Sequence, residues 1–225
     1  HASKPIETVV AEARDLVASG TRELILVAQD TTYYGIDLYG RPRLAELLEQ
    51  LNQIDGLDWI RLMYFYPMYI DNRLIETIAA ADKILPYIDM PLQHINDTML
   101  RRMSRRVTRQ ETETLIEELR SGIPNLTLRT TFITGFPGET DQAFEELAEF
   151  VRQQRFQRLG VFTYSHEEST PSAQLKDHLP EQVKQQRRDA LMQIQQQVAY
   201  DWAAAQIGRR QEVILDRRLE DEENV

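Results

Sequence analysis

Short apolar runs alternate five times with helix-periodic segments along this chain, and that alternation limits its fold more than any other feature. Glu23 to Ala28 (ELILVA) is a brief run of branched residues, the signature of a buried strand. Asp58 to Tyr64, Ile84 to Met90, Leu126 to Ile133 and Arg158 to Thr163 repeat it. Between them the spacing predicts helices. Pro5 to Ala18 places Ile6, Val9, Val10, Ala13, Leu16 and Val17 at helical intervals, with Ser3 as N-cap and Gly20 as the stop. Leu44, Leu47, Leu48 and Leu51 mark a second helix, Arg73 to Ala81 a third and Asn96 to Met103 a short fourth. Thr108, with Glu111 three positions on, opens another with a capping box. Thr140 caps one whose Phe144, Leu147, Ala148 and Val151 share a face. Strands apolar on both faces and separated by helices imply a parallel sheet covered by helices, with right-handed crossovers. A closed barrel, a partial barrel and an open sheet all satisfy this pattern.

A last helix is expected from Pro180 to Ile207, with Val183, Leu191, Ile194 and Val198 on its apolar side and Gly208 as its end. Beyond it QEVILD has the look of a lone strand, which cannot stand alone, so the chain is expected to stop at the start of a further β domain. The organisation expected is therefore one domain over 1–208 and a linker with a first strand over 209–225. A length of 225 residues suits one well-buried core.

Composition excludes several classes. No apolar run approaches the roughly 20 residues of a membrane span, which sets the expectation of a cytoplasmic protein without a membrane partner. The net charge of −10 disfavours non-specific nucleic-acid binding and suits a basic partner. No cysteine is present, so within these residues there is no disulfide framework, cysteine nucleophile, zinc ribbon or thiolate-held iron–sulfur cluster. The four histidines, at 1, 94, 166 and 178, show no metal-ligand spacing, and no metal ligand is assigned.

In parallel α/β folds the chemistry collects at the carboxyl ends of the strands, and here those ends carry AQDTTYYG, YFYPMY, MPLQHIND, ITGFPGET and TYSHEES. GFPGE fits either a tight structural turn or a turn whose backbone N–H groups approach a ligand. His94 suits an acid–base group as well as a satisfied strand-end side chain. Gln29 and Asp30 can grip an amine or ribose, or simply start a turn. Arg101, Arg102, Arg105, Arg106 and Arg109 make a basic patch that is either a solvated face or a surface for RNA or an acidic segment. The tyrosines at 33, 34, 39, 64, 66 and 69 either wall a pocket or pack on the sheet.

Taken together, AQDTTYYGIDLYGRP, IRLMYFYP, PLQHINDTMLRRMSRR, LRTTFITGFPGET and VFTYSHEESTPS, in this order, resemble the radical-SAM methylthiotransferase family, over nearly the whole chain. AQD in place of a GQN-type sequence points to the branch that modifies an aspartate of ribosomal protein S12 in the small subunit. The resemblance implies a partial (β/α) TIM-like barrel that binds S-adenosylmethionine, and two [4Fe-4S] clusters in the intact enzyme. It also implies a carboxyl-terminal TRAM β domain that helps hold the substrate, a possible contact to RNA. Relative to that pattern the family's first strand and its C-x-x-x-C-x-x-C loop are missing, so this chain by itself is expected to be inactive.

Carried over by motif, Gln29 and Asp30 approach the methionine end of the cofactor, and Pro91, Gln93 and His94 its ribose and the substrate opening. Arg129 and Thr131 face the barrel interior, Gly135, Phe136 and Pro137 pass the adenine or ribose, and Tyr164 and Ser165 close the far side. No catalytic side chain is assigned. The readings that compete are a tRNA methylthiotransferase on the same scaffold, a non-catalytic SAM- or protein-binding barrel module, and a cofactor-independent barrel isomerase or lyase.

Overall fold

The computed structural model describes residues 2–215. Its five strands, β1 (Glu23–Leu26), β2 (Trp59–Leu62), β3 (Ile84–Asp89), β4 (Thr127–Thr134) and β5 (Arg158–Thr163), form one parallel sheet in the order 1-2-3-4-5. Each strand lies beside the one before it, so the sheet advances in one direction as an arc of a (β/α) barrel rather than doubling back. The helices are α1 (Ile6–Ala18), α2 (Ile36–Tyr39), α3 (Leu44–Leu51), α4 (Asn72–Ala80), α5 (Asp97–Arg102), α6 (Arg109–Gly122), α7 (Asp141–Gln154) and α8 (Glu181–Ala204).

The sheet has one packed face and one open face. In β4 the alternation is strict: Leu128, Thr130, Phe132 and Thr134 are buried, while Thr127, Arg129, Thr131 and Ile133 are half-buried. Phe132 meets Phe150 of α7 and Phe156 edge-on at 6.3 and 6.1 Å. The opposite face is polar, contrary to the expectation of strands apolar on both faces. Arg61 pairs with Glu23 at 2.7 Å and lies over the Tyr87 ring, and Arg129 pairs with Asp89 at 3.1 Å. An arc of five strands leaves this face without a covering layer, so charge is tolerated there.

Most helix boundaries follow the sequence signals. Thr108 and Glu111 make the reciprocal bonds of a capping box, and Asp71, Asn96 and Thr140 each accept a backbone N–H at a helix start. Ser3 departs from its expected role. Pro5 is the N-cap of α1, and Ser3 bonds Asp37 through both its N–H and its hydroxyl, tying the amino-terminal segment to α2. The buried side of α8 is also more polar than its apolar residues suggest, with Lys184, Arg187 and Gln195 buried beside Leu191 and Val198. No strand forms over 211–215, and the rest of the expected terminal strand lies outside the described residues. Among the described residues no helix is long and apolar enough to cross a membrane.

One charge cluster ties α3 to α4. Glu46 is 12% exposed and faces Arg41, Arg43 and Arg73. Burial raises its pKa, but the guanidiniums of Arg73 and Arg41 outweigh burial and hold it below the usual carboxylate value. A folded-state pKa below the unfolded one gives stability that is present above the unfolded pKa and lost as pH falls through the folded one. Glu46→Gln is therefore expected to lower Tm at pH 7 and to leave it unchanged near pH 2, with melting curves at both pH values as the check.

Candidate functional site

The carboxyl ends of β1, β2 and β3 open into a cavity of about 550 Å³, lined among others by Gln29, Asp30, Tyr64, Pro91, Gln93 and Arg105. Asp30 is held by its own turn: its Oδ1 accepts from the Tyr33 N–H at 3.1 Å and from the Thr32 hydroxyl at 2.6 Å. Thr32 is fully buried and bonds Tyr66, so this loop is anchored to the one after β2.

Arg105 enters the cavity from the segment after α5. Ser104 adopts φ 56° and reverses the chain, and the Arg105 guanidinium lies 4.5 Å from the centroid of the Tyr66 ring and donates to the Pro91 carbonyl at 2.8 Å. Its Nε is buried and has no hydrogen-bond partner. Burial pulls its pKa down, against the opposing pull of Tyr66 and Asp30. A half-buried guanidinium that lines one cavity with a carboxylate offers adjacent sites for a ligand carrying both an anionic and a cationic group. Sequence spacing placed Arg105 only within a basic run; the burial that separates it from Arg101 and Arg106 comes from the fold.

Gln93 lines the same cavity with φ 70°. Its N–H donates to the Thr131 carbonyl and its carbonyl accepts from the Ile133 N–H, both at 2.9 Å, so β4 clamps it from both sides. His94, next in sequence, points elsewhere. Its side chain is fully buried, its Nδ1 accepts from the N–H groups of Ile95 and Asn96, and Nε2 therefore carries the proton and donates to Glu139 at 3.2 Å. The other oxygen of Glu139 accepts from the Gly135 N–H at 2.8 Å and from Arg187 of α8 at 2.5 Å. His94 thus joins the PLQH and GFPGET segments from behind the cavity rather than facing it.

The GFPGET turn borders a second cavity of about 540 Å³, lined by Phe136, Ile133, Leu175 and Arg102 and sharing Gln93, Ser104 and Arg105 with the first. Gly135 has φ 73°, and a Cβ there would stand 2.3 Å from Cγ of Lys184, so glycine alone fits. The Pro137 carbonyl accepts from Arg102 Nε at 2.9 Å. Tyr164 packs edge-on against Phe136 at 5.1 Å and donates its hydroxyl proton to Ser172 at 3.2 Å, while Ser165 is exposed and bonds Glu167. Arg129 and Thr131 lie on the open face of β4 and line neither cavity. The twelve expected positions therefore divide: Gln29, Asp30, Pro91 and Gln93 meet at one cavity, Gln93 and Phe136 at the other, and Gly135, Pro137 and Tyr164 support its wall.

The donor set fits one cofactor implied by the resemblance and not the other. The guanidinium of Arg105, which spends one donor on the Pro91 carbonyl and still lines the cavity, and the carboxylate of Asp30 complement the α-carboxylate and ammonium of the methionyl end of S-adenosylmethionine. An iron–sulfur cluster does not fit: the sequence has no thiolate, and among the described residues no group of three His, Cys, Asp or Glu side chains can hold a metal.

The profile of the radical SAM superfamily matches residues 1–151. Two similar curated proteins are both named ribosomal protein uS12 methylthiotransferase RimO. That of Lachnoclostridium phytofermentans is 49% identical over 219 residues, 97% of this chain and 50% of its own length. That of Porphyromonas gingivalis is 50% identical over 218 residues, 96% of this chain and 50% of its own. The chain spans about half the length of these relatives. Among solved structures, coproporphyrinogen III oxidase HemN from Escherichia coli, a radical SAM enzyme, matches with TM-score 0.65 at 17% identity, covering 86% of this chain and 46% of that one. TsrM from Kitasatospora setae, a radical S-adenosylmethionine methyltransferase, matches with TM-score 0.57 at 17% identity, covering 71% and 31%. At such identities the two structures speak for the fold, a partial barrel, and nothing further.

Proposed function

The chain belongs to the radical SAM superfamily, and from that membership we propose that it is the barrel of a methylthiotransferase acting on an aspartate of ribosomal protein uS12. The observation that carries the reading within the structure is that a half-buried Arg105 and Asp30 line one cavity at the strand ends. Near-half identity over almost the whole chain to proteins of that name supports the substrate. The net charge of −10 suits docking on a basic ribosomal protein in the cytoplasm.

In this reading Arg105 binds the cofactor carboxylate, Asp30 and Gln29 the ammonium, and Gln93 orients the remainder of the molecule. Phe136 and Ile133 offer the apolar wall for its adenine. When bound and given an electron from a donor outside these residues, S-adenosylmethionine would supply one-electron chemistry at a substrate carbon. The protein's share is to bind, to orient and to exclude water, which a rigid cavity with clamped strand ends does well. Iron–sulfur ligands of such an enzyme are not among these 225 residues. Residues 1–208 make the barrel, and 209–225 lead toward a TRAM domain with a role in holding substrate or RNA.

The test is a titration of the protein, loaded with S-adenosylmethionine, against purified uS12 and against a tRNA anticodon hairpin. Saturable binding of uS12 with weaker binding of the hairpin is expected. The reverse preference would assign the barrel to a tRNA-modifying enzyme instead.

A further inference from the structure

Tyr64, two residues beyond the end of β2, takes a conformation rare for a tyrosine, with φ 58°. The corner is over-determined. The Tyr64 N–H donates to Asp89 Oδ2 at 3.2 Å, its carbonyl accepts from the Thr31 N–H at 3.0 Å, and the Phe65 N–H donates to the Asp89 carbonyl at 2.8 Å. Asp89 is 1% exposed and is itself held by Arg129. Glycine would take this φ without steric strain, so the side chain supplies the reason for a tyrosine. Packing does not supply it: the ring is 46% exposed, and its hydroxyl has no hydrogen bond among the described residues. The ring instead lines the cavity that holds Asp30, Gln93 and Arg105.

From this geometry we propose that Tyr64 reads the carboxylate of the substrate side chain, with Asp89 as the residue that positions it; the inference rests on the aspartate substrate proposed above. The two anionic ends that meet in such a cavity, cofactor and substrate, need separate donors. Arg105 is half-buried and suits the one that stays. Tyr64 is at the mouth and suits the one that arrives. A phenol donates one O–H and adds no charge beside Arg105, and its bond to a carboxylate is about twice as strong as to a neutral amide, which favours aspartate over asparagine.

Tyr64→Phe keeps the ring and removes only the donor. The measurement is fluorescence anisotropy with two labelled uS12 peptides, carrying Asp or Asn at the modified position, together with a calorimetric titration of S-adenosylmethionine. Wild type is expected to favour the Asp peptide. Tyr64→Phe should bind that peptide roughly tenfold or more weakly and the Asn peptide only slightly more weakly, so that the Asp preference shrinks, with the cofactor affinity and Tm unchanged. An Asp preference that survives in Tyr64→Phe overturns the inference and leaves the substrate reading standing. Loss of cofactor affinity in place of peptide affinity overturns it too, by assigning the phenol to the cofactor. A wild type that shows no Asp preference, or that prefers a purine oligonucleotide, removes the substrate reading and the inference with it.

Discussion

Replacing Glu139 with alanine is expected to cost about 3–5 kcal/mol of folding stability, the range for removing one partner from a buried ion pair. At about 2–4 °C per kcal/mol for a chain of this size, Tm should fall by roughly 6–20 °C. Three groups lose their acceptor at once. The His94 Nε2–H and the Gly135 N–H are left buried without a partner, and the Arg187 guanidinium, its side chain 7% exposed, keeps only the exposed Asp141 carboxylate and the residue 139 carbonyl. Glu139→Gln retains an acceptor and a donor in the same space and should lose less. Thermal melts of the two variants decide the matter. Equal losses would mean that the shape and hydrogen bonds kept by glutamine count for little and that the carboxylate charge, which both variants lose, holds the GFPGET turn.

Arg105→Met should weaken S-adenosylmethionine roughly 10- to 100-fold, the range for losing a charge-assisted hydrogen bond or two. Stability should change little. Methionine fills the side chain's path as far as the position of Nε and gives up the guanidinium's stacking on Tyr66 and its bond to Pro91, but the variant no longer holds a cation whose buried Nε is unpaired. Arg105→Lys should not restore affinity, because the donor to the Pro91 carbonyl and the unused Nε–H lie in one planar fork that an ammonium cannot reproduce. Calorimetric titration on variants with unchanged Tm is the check. Wild-type affinity in Arg105→Met would exclude this cavity as the cofactor's carboxylate site.

The fold was legible because its signals are local and repeated. Arg158 to Thr163 is β5 as read, Leu44 to Leu51 is α3, and Thr108 and Glu111 form the expected capping box. The polar face of the sheet was not legible, since a run such as DWIRLMY does not say which neighbours its Arg61 will find. Glu23 and Tyr87, the residues that accommodate it, come from other strands. The same limit governs the site. Gln29, Asp30 and Gln93 stood out at strand ends and Pro91 came with the family resemblance, and the four do share a cavity. His94 and Arg105 exchanged importance because burial and hydrogen bonding are tertiary facts: one is consumed by Glu139, and the other is freed from a run of arginines by the turn at Ser104. Tyr64 carries no marker in its letter; only its dihedral sets it apart.

The tie between Glu139 and Arg187 spans 48 residues of sequence, and this separation fixes an order of events during synthesis. At about 5–20 residues per second, the guanidinium is made roughly 2–10 s after the carboxylate it will neutralise. From residue 163 onward, in the second part of that interval, the nascent chain has all five strands but a loop whose acid still lacks its cation. A chain released before residue 187 would thus carry every residue that lines the main cavity and still lack one of the groups that hold its neighbouring turn in shape. Completion of the last helix is the step that turns a folded sheet into a formed site.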